Sequence, residues 1–260
     1  MIAPLLYFEV DPPPDLAHVV LSFWGFEVRD GAAHAHTLWP DASFSVTWGM
    51  HQGRTIILGG MGARVEPVAV PVQPGAAFRG IRFWPDAAKP LFGIDPRAAR
   101  ERRLPLDALG VVGERLAGGA RQATALSDAF PIFEAVLRDS LTSAGTIDSL
   151  VRRALHAIDA QPERTVGTVA SSLGVSDRQL RRRFGSATGL SPKEYARIRR
   201  LRRTLERVVI EGASNWSSIA ARSGFADQPH LVNEIVRMTA YTPRLLEQRL
   251  RLIEHVGVKP

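Results

Sequence analysis

Two stretches of the chain follow one plan: a short apolar-striped helix, a turn holding a glycine, a polar cap and a second helix. In the first, Thr165–Leu173 places Val166, Val169, Ala170 and Leu173 on one face. Gly174-Val175-Ser176 then supplies a glycine stop and a serine cap, and Asp177–Phe184 forms the second helix. In the second stretch the parts are Trp216–Arg222, the turn Ser223–Ala226, the cap Asp227 and the helix Gln228–Met238. Helix, glycine turn, helix is the helix-turn-helix arrangement. Between the two, Ser191-Pro192-Lys193-Glu194 has the spacing of a capping box with proline at the first helical position. The helix it opens is expected to reach about Ile210 and to end at Gly212. That is a rigid connector of ~19 residues, or ~28 Å at about 1.5 Å per residue. Tyr195, Ile198, Leu201, Leu205 and Val208 form its apolar stripe, and Arg197, Arg199, Arg200, Arg202, Arg203 and Arg207 cover the rest. A last helix is expected from Pro243, behind the cap Thr242, to about Val256.

The faces of the two second helices differ. At about 100° per residue, Leu180 and Phe184 point to the core while Arg178, Arg181 and Arg182 lie opposite, with Gln179 and Arg183 on the flank. A stripe of arginines suits the major groove: arginine pairs bidentately with guanine and neutralises phosphate. The alternative, a merely solvated face, is disfavoured because no acidic residue is read at the spacing that would pair these arginines. In the later unit the outward stripe is Pro229, Val232, Asn233 and Val236, which carries no positive charge. Asparagine can read adenine and valine can touch a thymine methyl. The expected reader is therefore asymmetric, anchored by its first unit. The candidate DNA-contacting set is Arg178, Gln179, Arg181, Arg182, Arg183 and Lys193, followed by Gln228, His230, Val232, Asn233 and Arg237.

Charge divides the chain in the same place. Residues 1–150 hold 13 basic and 16 acidic side chains, whereas residues 151–260 hold 20 and 10. Thirteen of the 18 prolines also fall in the first 150 residues. A polyanion-binding module joined to something of different architecture is the expectation. The expected division is 1–145, a connecting helix and linker over 146–164, and 165–260. There is no cysteine, which excludes disulfides, thiolate metal sites, cysteine nucleophiles and cysteine-acceptor DNA repair. No apolar run approaches the ~20 residues that span a bilayer, and the N-terminus does not read as a signal peptide. A soluble, cytoplasmic, nucleoid-associated protein with no membrane partner is expected.

The first half reads as short strands between Gly and Pro clusters: His18–Val28, Ser43–Met50, Arg54–Leu58, Arg64–Val70 and Ala77–Trp84. Within Ser43–Met50, Phe44, Val46, Trp48 and Met50 alternate with polar residues. Closely spaced strands of this kind argue for a small antiparallel barrel or sandwich, of which the barrel is taken. Two helices should follow, about Leu106–Leu116 and Ala125–Leu141, with Pro131 kinking or restarting the second. The fold class is thus α+β, with a small antiparallel β-barrel plus helices in front and an all-α double helix-turn-helix domain behind. The strands are rich in aromatics, so Trp24, Trp39, Phe44, Trp48, Arg82 and Trp84 are candidates for a ligand pocket, against the plainer role of core. His34-x-His36, with His51 nearby, has the look of cupin metal spacing, but the glycine, glutamate and third histidine of that pattern are missing. No metal, cofactor or catalytic residue is assigned, and nothing argues for an enzyme. A cupin-like small-molecule binder or metal enzyme with a basic polyanion-docking tail is the alternative.

The segments VASSLGVSDRQLRRRFGSATGLSPKEYARIRRLRRTL (169–205) and WSSIAARSGFADQPHLVNEIVRMTAYTP (216–243) resemble the DNA-binding domain of the AraC/XylS family of bacterial transcription regulators. The N-terminal half resembles an uncharacterised sensor-type domain found before such modules, through Leu38–Ala42, Gly59–Gly62 and Gly80–Ala88. The resemblance implies a cupin-like form for the N-terminal barrel and a transcription regulator, activator or repressor, that binds double-stranded DNA under a small effector; contact with RNA polymerase and a homodimer through the first half are open alongside a monomer on DNA. Departures from the family pattern are Leu231 and Ile235 where phenylalanine is common, Asn233 and Val236 where a basic residue is common, and Ala240 where glycine is expected.

Overall fold

The computed structural model describes residues 4–29, 35–122, 128–211 and 215–256. The first half is built on strands β1 (Leu5–Val10), β2 (Val20–Val28), β3 (Ala35–Leu38), β4 (Phe44–His51), β5 (Arg54–Met61), β6 (Val68–Pro71), β7 (Ala77–Phe83) and β8 (Arg103–Pro105). Helices α1 (Ala88–Phe92) and α2 (Pro96–Ala99) precede β8, and α3 (Gly110–Gln122) and α4 (Ala129–Leu141) follow it. Seven strands form one sheet in the order β8-β5-β4-β7-β2-β1-β9, and β3 pairs with β6 as a separate ribbon. The ninth strand, β9 (Ile253–Val256), comes from the far end of the chain. The α+β class holds, and the sheet is antiparallel as expected except at β1–β9. Among the described residues β8 and β9 stand at its edges, so hydrogen bonds do not close it into a barrel.

Strand alternation sorts the side chains onto two faces. On one face Phe23, Phe44, Val46, Trp48, Ile81 and Phe83 are buried in a core that includes Leu109, Leu116, Phe133 and Leu137 of the following turn and helices. On the other, Tyr7, Glu9, Ser22, Trp24, Ser45 and Arg82 line a cavity. The expected strand 64–70 is shorter: Arg64 makes only an isolated bridge to Asp41, and β6 starts after Pro67, whose ring nitrogen cannot donate to a ladder. The helix expected from Leu106 begins as a 3-10 turn over Leu106–Leu109 before α3. The start of the helix expected from Ala125 lies outside the described residues. Pro131 sits in the first turn of α4, where a missing N–H costs nothing.

The second half is helical as read: α5 (Ser149–Ala160), α6 (Val166–Ser172), α7 (Asp177–Thr188), α8 (Pro192–Glu211), α9 (Trp216–Arg222), α10 (Gln228–Thr239) and α11 (Pro243–Arg251). Its starts are the caps seen in the sequence. Thr165, Ser176, Asp227 and Thr242 each accept a backbone N–H from the first turn of the helix they open. Ser191 and Glu194 form the full reciprocal box, at 2.8 and 3.2 Å. Gly174, Gly189 and Gly224 take positive φ at the helix ends. Gly212, expected to stop α8, lies outside the described residues. The last helix is corrected: α11 stops at Arg251, and Ile253–Val256, expected to be helical, is strand β9. Alternating Ile253 and His255 turn inward there, and the free edge of β1 offers them a ladder.

The core runs from the sheet through α5 into the first helix-turn-helix unit, taking in Val151, Leu155, Leu180, Phe184, Tyr195 and Leu201. The second unit has its own cluster of Val208, Ile219, Phe225, Leu231, Ile235, Leu246 and Leu250. Leu231 and Ile235 are fully buried in it, so the smaller side chains at these two positions still fill the core.

Candidate nucleic-acid interface and interior cavity

The two helix-turn-helix units present different chemistry. On α7, Arg178 and Arg182 are exposed and make no ion pair among the described residues. Arg181 is held by Asp177 one turn back, at 3.1 and 3.0 Å, which corrects the expectation that nothing acidic pairs this stripe. Arg183 is directed away from the stripe. It makes a two-pronged bond, 2.9 and 2.6 Å, to Asp148, the N-cap of α5. Gln179 closes the α7 capping box, its Oε1 accepting from the Ser176 backbone at 3.0 Å. Lys193 is exposed at the start of α8.

On α10, Gln228, His230, Asn233 and Arg237 are exposed, and Val232 is half-buried. Gln228 Oε1 accepts from Ser217 Oγ at 2.6 Å, and the His230 ring stands edge-on to Phe225. Arg237, 68% exposed, lies 3.8 Å from Glu234. Val236 is 43% exposed.

The arginines of α8 are spent inside the molecule. Arg197 pairs with Glu234 of α10, and Arg200 sits 5.3 Å over the Phe225 ring. Arg199 pairs with Asp159 at 2.6 Å, and Arg203 donates to the Asp159 carbonyl. These contacts couple the connector to α5 on one side and to the second unit on the other. The α2 region also grips the first unit and the start of the connector: Arg97 Nε of α2 donates to Gly185 O at 3.0 Å, and Arg100, just after α2, pairs with Glu194 of α8 at 2.7 Å.

Between the sheet and α8 lies a cavity of about 710 Å³. The sheet supplies Tyr7, Glu9, Trp24 and Arg82, the loop and ribbon give His36, Trp39 and Asp41, α8 gives Ile198, Arg202 and Glu206, and β9 gives Ile253 and His255. Of the six expected pocket residues, Trp24, Trp39 and Arg82 line it. Phe44, Trp48 and Trp84 do not. Phe44 and Trp48 are packed on the helical face of the sheet, and Trp84 stacks edge-on to His156 with its Nε1 bonded to Ala17 O at 3.1 Å.

An ionic network forms the cavity floor. Arg82 donates to Tyr7 Oη and Glu9 Oε1, both at 2.6 Å, and to Asp41 Oδ2 at 2.8 Å. Tyr7 donates to Glu9 in turn, and Arg202 reaches Glu9 from α8 while bonding Glu206 at 3.0 Å. Burial alone would raise the Glu9 carboxyl, but the guanidinium groups of Arg82 and Arg202 bring it down to about 2. Asp41 is held low against its own burial by Arg82, Arg202 and Arg64. Burial, with Glu9 beside it, pushes the Tyr7 hydroxyl up to about 12 despite Arg82. Burial and Arg249 lower His36 to about 4. Trp24 Nε1, Trp39 Nε1, Arg64 Nε and both ring nitrogens of His255 are buried on this cavity and have no hydrogen-bond partner among the described residues. His34 lies outside the described residues. His36 stacks on Phe26 at 4.6 Å, and His51 Nε2 is 3.1 Å from the Pro74 carbonyl.

Among the described residues no helix is long and apolar enough to cross a membrane. A helix-turn-helix domain family matches residues 169–249, and a domain of unknown function (DUF6597) matches residues 8–105. No curated protein matches the chain. Solved structures do. An AraC-type transcriptional regulator from Chromobacterium violaceum is 25% identical over 39% of this chain and 91% of its own, with a TM-score of 0.35. ToxT from Vibrio cholerae O395 is 10% identical over 88% of this chain and 98% of its own, with a TM-score of 0.47. ToxT from Vibrio cholerae strain SCE256 with bound unsaturated fatty acid is 11% identical over 87% and 95%, with a TM-score of 0.45.

Proposed function

We propose that this chain, whose C-terminal half is a DNA-binding helix-turn-helix domain of the AraC type, is a sequence-specific transcription regulator controlled by a small molecule in the cavity beneath its connector helix. In this reading α7 and α10 enter successive major grooves, about one helical turn (~34 Å) apart. The first half is the sensor, residues 146–164 connect, and residues 165–260 read DNA. The observation that carries the control step is that one cavity is walled both by the sheet and by α8. A molecule there touches the sensor and the connector at once.

The chemistry of the walls supports an effector with an apolar body and several acceptor atoms. The unpartnered Trp24, Trp39 and Arg64 groups are donors, and burying a donor without an acceptor costs roughly 1–3 kcal/mol each. On the DNA side, Arg178 and Arg182 carry the anchoring contacts of the first unit, and Asn233 with Val232 carries a weaker, less salt-dependent contact in the second. Gln179, Arg181, Arg183, Gln228, His230 and Arg237 complete the interface by shaping it more than by reading bases, with Lys193 beside them as a phosphate contact. Work at the nucleoid, contact with RNA polymerase and self-association through the first half belong to the same role.

In-vitro selection of bound DNA with the full chain tests the reading. The expected product is an asymmetric site with two blocks about a turn apart, and Arg182→Ala should weaken binding more than Asn233→Ala. Equal losses would contradict the asymmetry, and no enriched sequence at low salt would overturn the regulator.

A further inference from the structure

We propose that β9 is a latch that docks the second helix-turn-helix unit onto the sensor sheet and so fixes the angle between the two reading helices. Only Leu252 separates β9 from α11. Leu246 and Leu250 of α11 are buried in the core of the second unit, so wherever β9 goes that unit follows. β9 runs parallel to β1 in the register Leu5↔Ile253 to Phe8↔Val256, with Leu5 N donating to Leu252 O at 3.2 Å. Arg29 pairs with Glu254 at 2.7 Å, and Tyr7 meets the His255 ring edge-on at 5.9 Å. Two further ties join the same partners: Thr37 Oγ1 bonds Tyr241 Oη at 2.6 Å, and Trp39 packs against the core of the second unit.

The latch is built to open. It is a four-residue pairing on a sheet edge, alternately exposed, and Val256 is 50% exposed. Short edge pairings with few buried contacts open well below the free energy of global unfolding. Opening would also remove Leu250, Ile253 and His255 from the cavity wall. A molecule that contacts these residues therefore favours the closed latch, and the closed latch favours the molecule by the same factor. The link to DNA rests on the function proposed above; the latch itself does not.

The chain has no cysteine, so two can be introduced without background. Spin labels at Arg54→Cys, exposed at the start of β5 in the sheet, and at Ala221→Cys, exposed on α9, report the distance between sheet and second unit in the full chain. The closed latch predicts one narrow distance distribution. Glu254→Pro, which breaks the strand and the Arg29 pair, should broaden it while circular dichroism stays helical. A chain ending at Leu252 should do the same. Unchanged distributions in both variants would overturn the latch. On DNA, a series of two-block sites differing by single base pairs in spacing gives the second reading. The parent should prefer one spacing by at least about fivefold, and Glu254→Pro should flatten that preference. A flat profile in the parent, or an unchanged one in the variant, would refute the fixed angle. Failure to select any DNA would count against the proposed function, while the distances would still decide the latch.

Discussion

Arg202 of the connector helix donates to the carboxylate of Glu9 on the first strand, across 193 residues of sequence. The same carboxylate takes Arg82 and Tyr7, so one buried anion holds together the sheet and the helix between the two reading units. Glu9→Gln keeps the shape and removes the charge. Arg82 retains Asp41, and Arg202 retains Glu206, yet both lose their common counter-ion. Removing one partner of a buried ionic set leaves charge uncompensated, so a loss of about 3 kcal/mol is expected, read as a lower urea midpoint.

Stability should fall in two acid windows. His36 is kept neutral by burial, so as pH drops from about 6.5 to about 4 the unfolded chain takes up a proton that the folded chain refuses. Folding should be roughly 2 kcal/mol weaker at pH 5 than at pH 8 from this residue. His255, also lowered by burial, adds in the same direction. Glu9 acts later: its stabilising charge is complete above pH 4.5 and is lost as pH falls toward about 2. In His36→Gln the loss between pH 8 and pH 5, followed by urea unfolding, should shrink, leaving the His255 part opposed by Glu206, whose burial-raised carboxyl favours the folded chain as pH falls.

Local signals carried the helical half and failed in the interior. Caps at Ser176, Ser191, Asp227 and Thr242 and the stripes on α6–α8 need only a few consecutive residues, and all are readable. Asp177 stands four residues before Arg181, a spacing that pairs charges on a helix, so that bond too is written in the sequence although the stripe taken alone hides it. Trp24 and Trp48 could not be told apart. Both sit in aromatic strands of a sheet covered on both sides, and only the positions of α3–α4 and α8 decide which face is core and which is cavity. The β1–β9 ladder and the Glu9 network join residues about as distant as the chain allows, where no periodicity gives a sign.

Gly80 is required by Trp24. A Cβ there would come within 2.3–2.5 Å of the indole, which lies across the neighbouring strand. Gly80→Ala should therefore displace Trp24 into the cavity and cost about 1–3 kcal/mol. Trp24→Phe should relieve part of that cost, because the atoms met first are Cε2, Cζ2 and Nε1 of the indole. A double-mutant cycle in thermal unfolding should show this coupling.

Ala240 caps α10 with φ of 62°, the left-handed region that favours glycine. Its N–H bonds Val236 O at 3.0 Å, so the turn is formed at the expense of a Cβ crowded against its own backbone. Ala240→Gly should stabilise the second unit by about 1 kcal/mol, seen as a higher melting temperature with the α10 amides better protected from exchange. A lower melting temperature would mean that unfolded-chain entropy outweighs the relief.

Arg182 and Arg183 are sequence neighbours with opposite expected effects. Arg182 is exposed with no acidic partner among the described residues, whereas Arg183 is fixed to Asp148 at the start of α5. Arg182→Ala should reduce the slope of log affinity against log salt by about 1 for each phosphate that the side chain neutralises, while leaving the melting temperature unchanged. Arg183→Ala should do the reverse: a melting temperature lower by about a degree, since the pair is half-exposed, and a salt slope within error of the parent. If Arg183→Ala changes the slope as much as Arg182→Ala does, the Asp148 pair opens on DNA and both arginines face phosphate. Titrations at several salt concentrations, run beside melting curves on the same samples, separate the two outcomes.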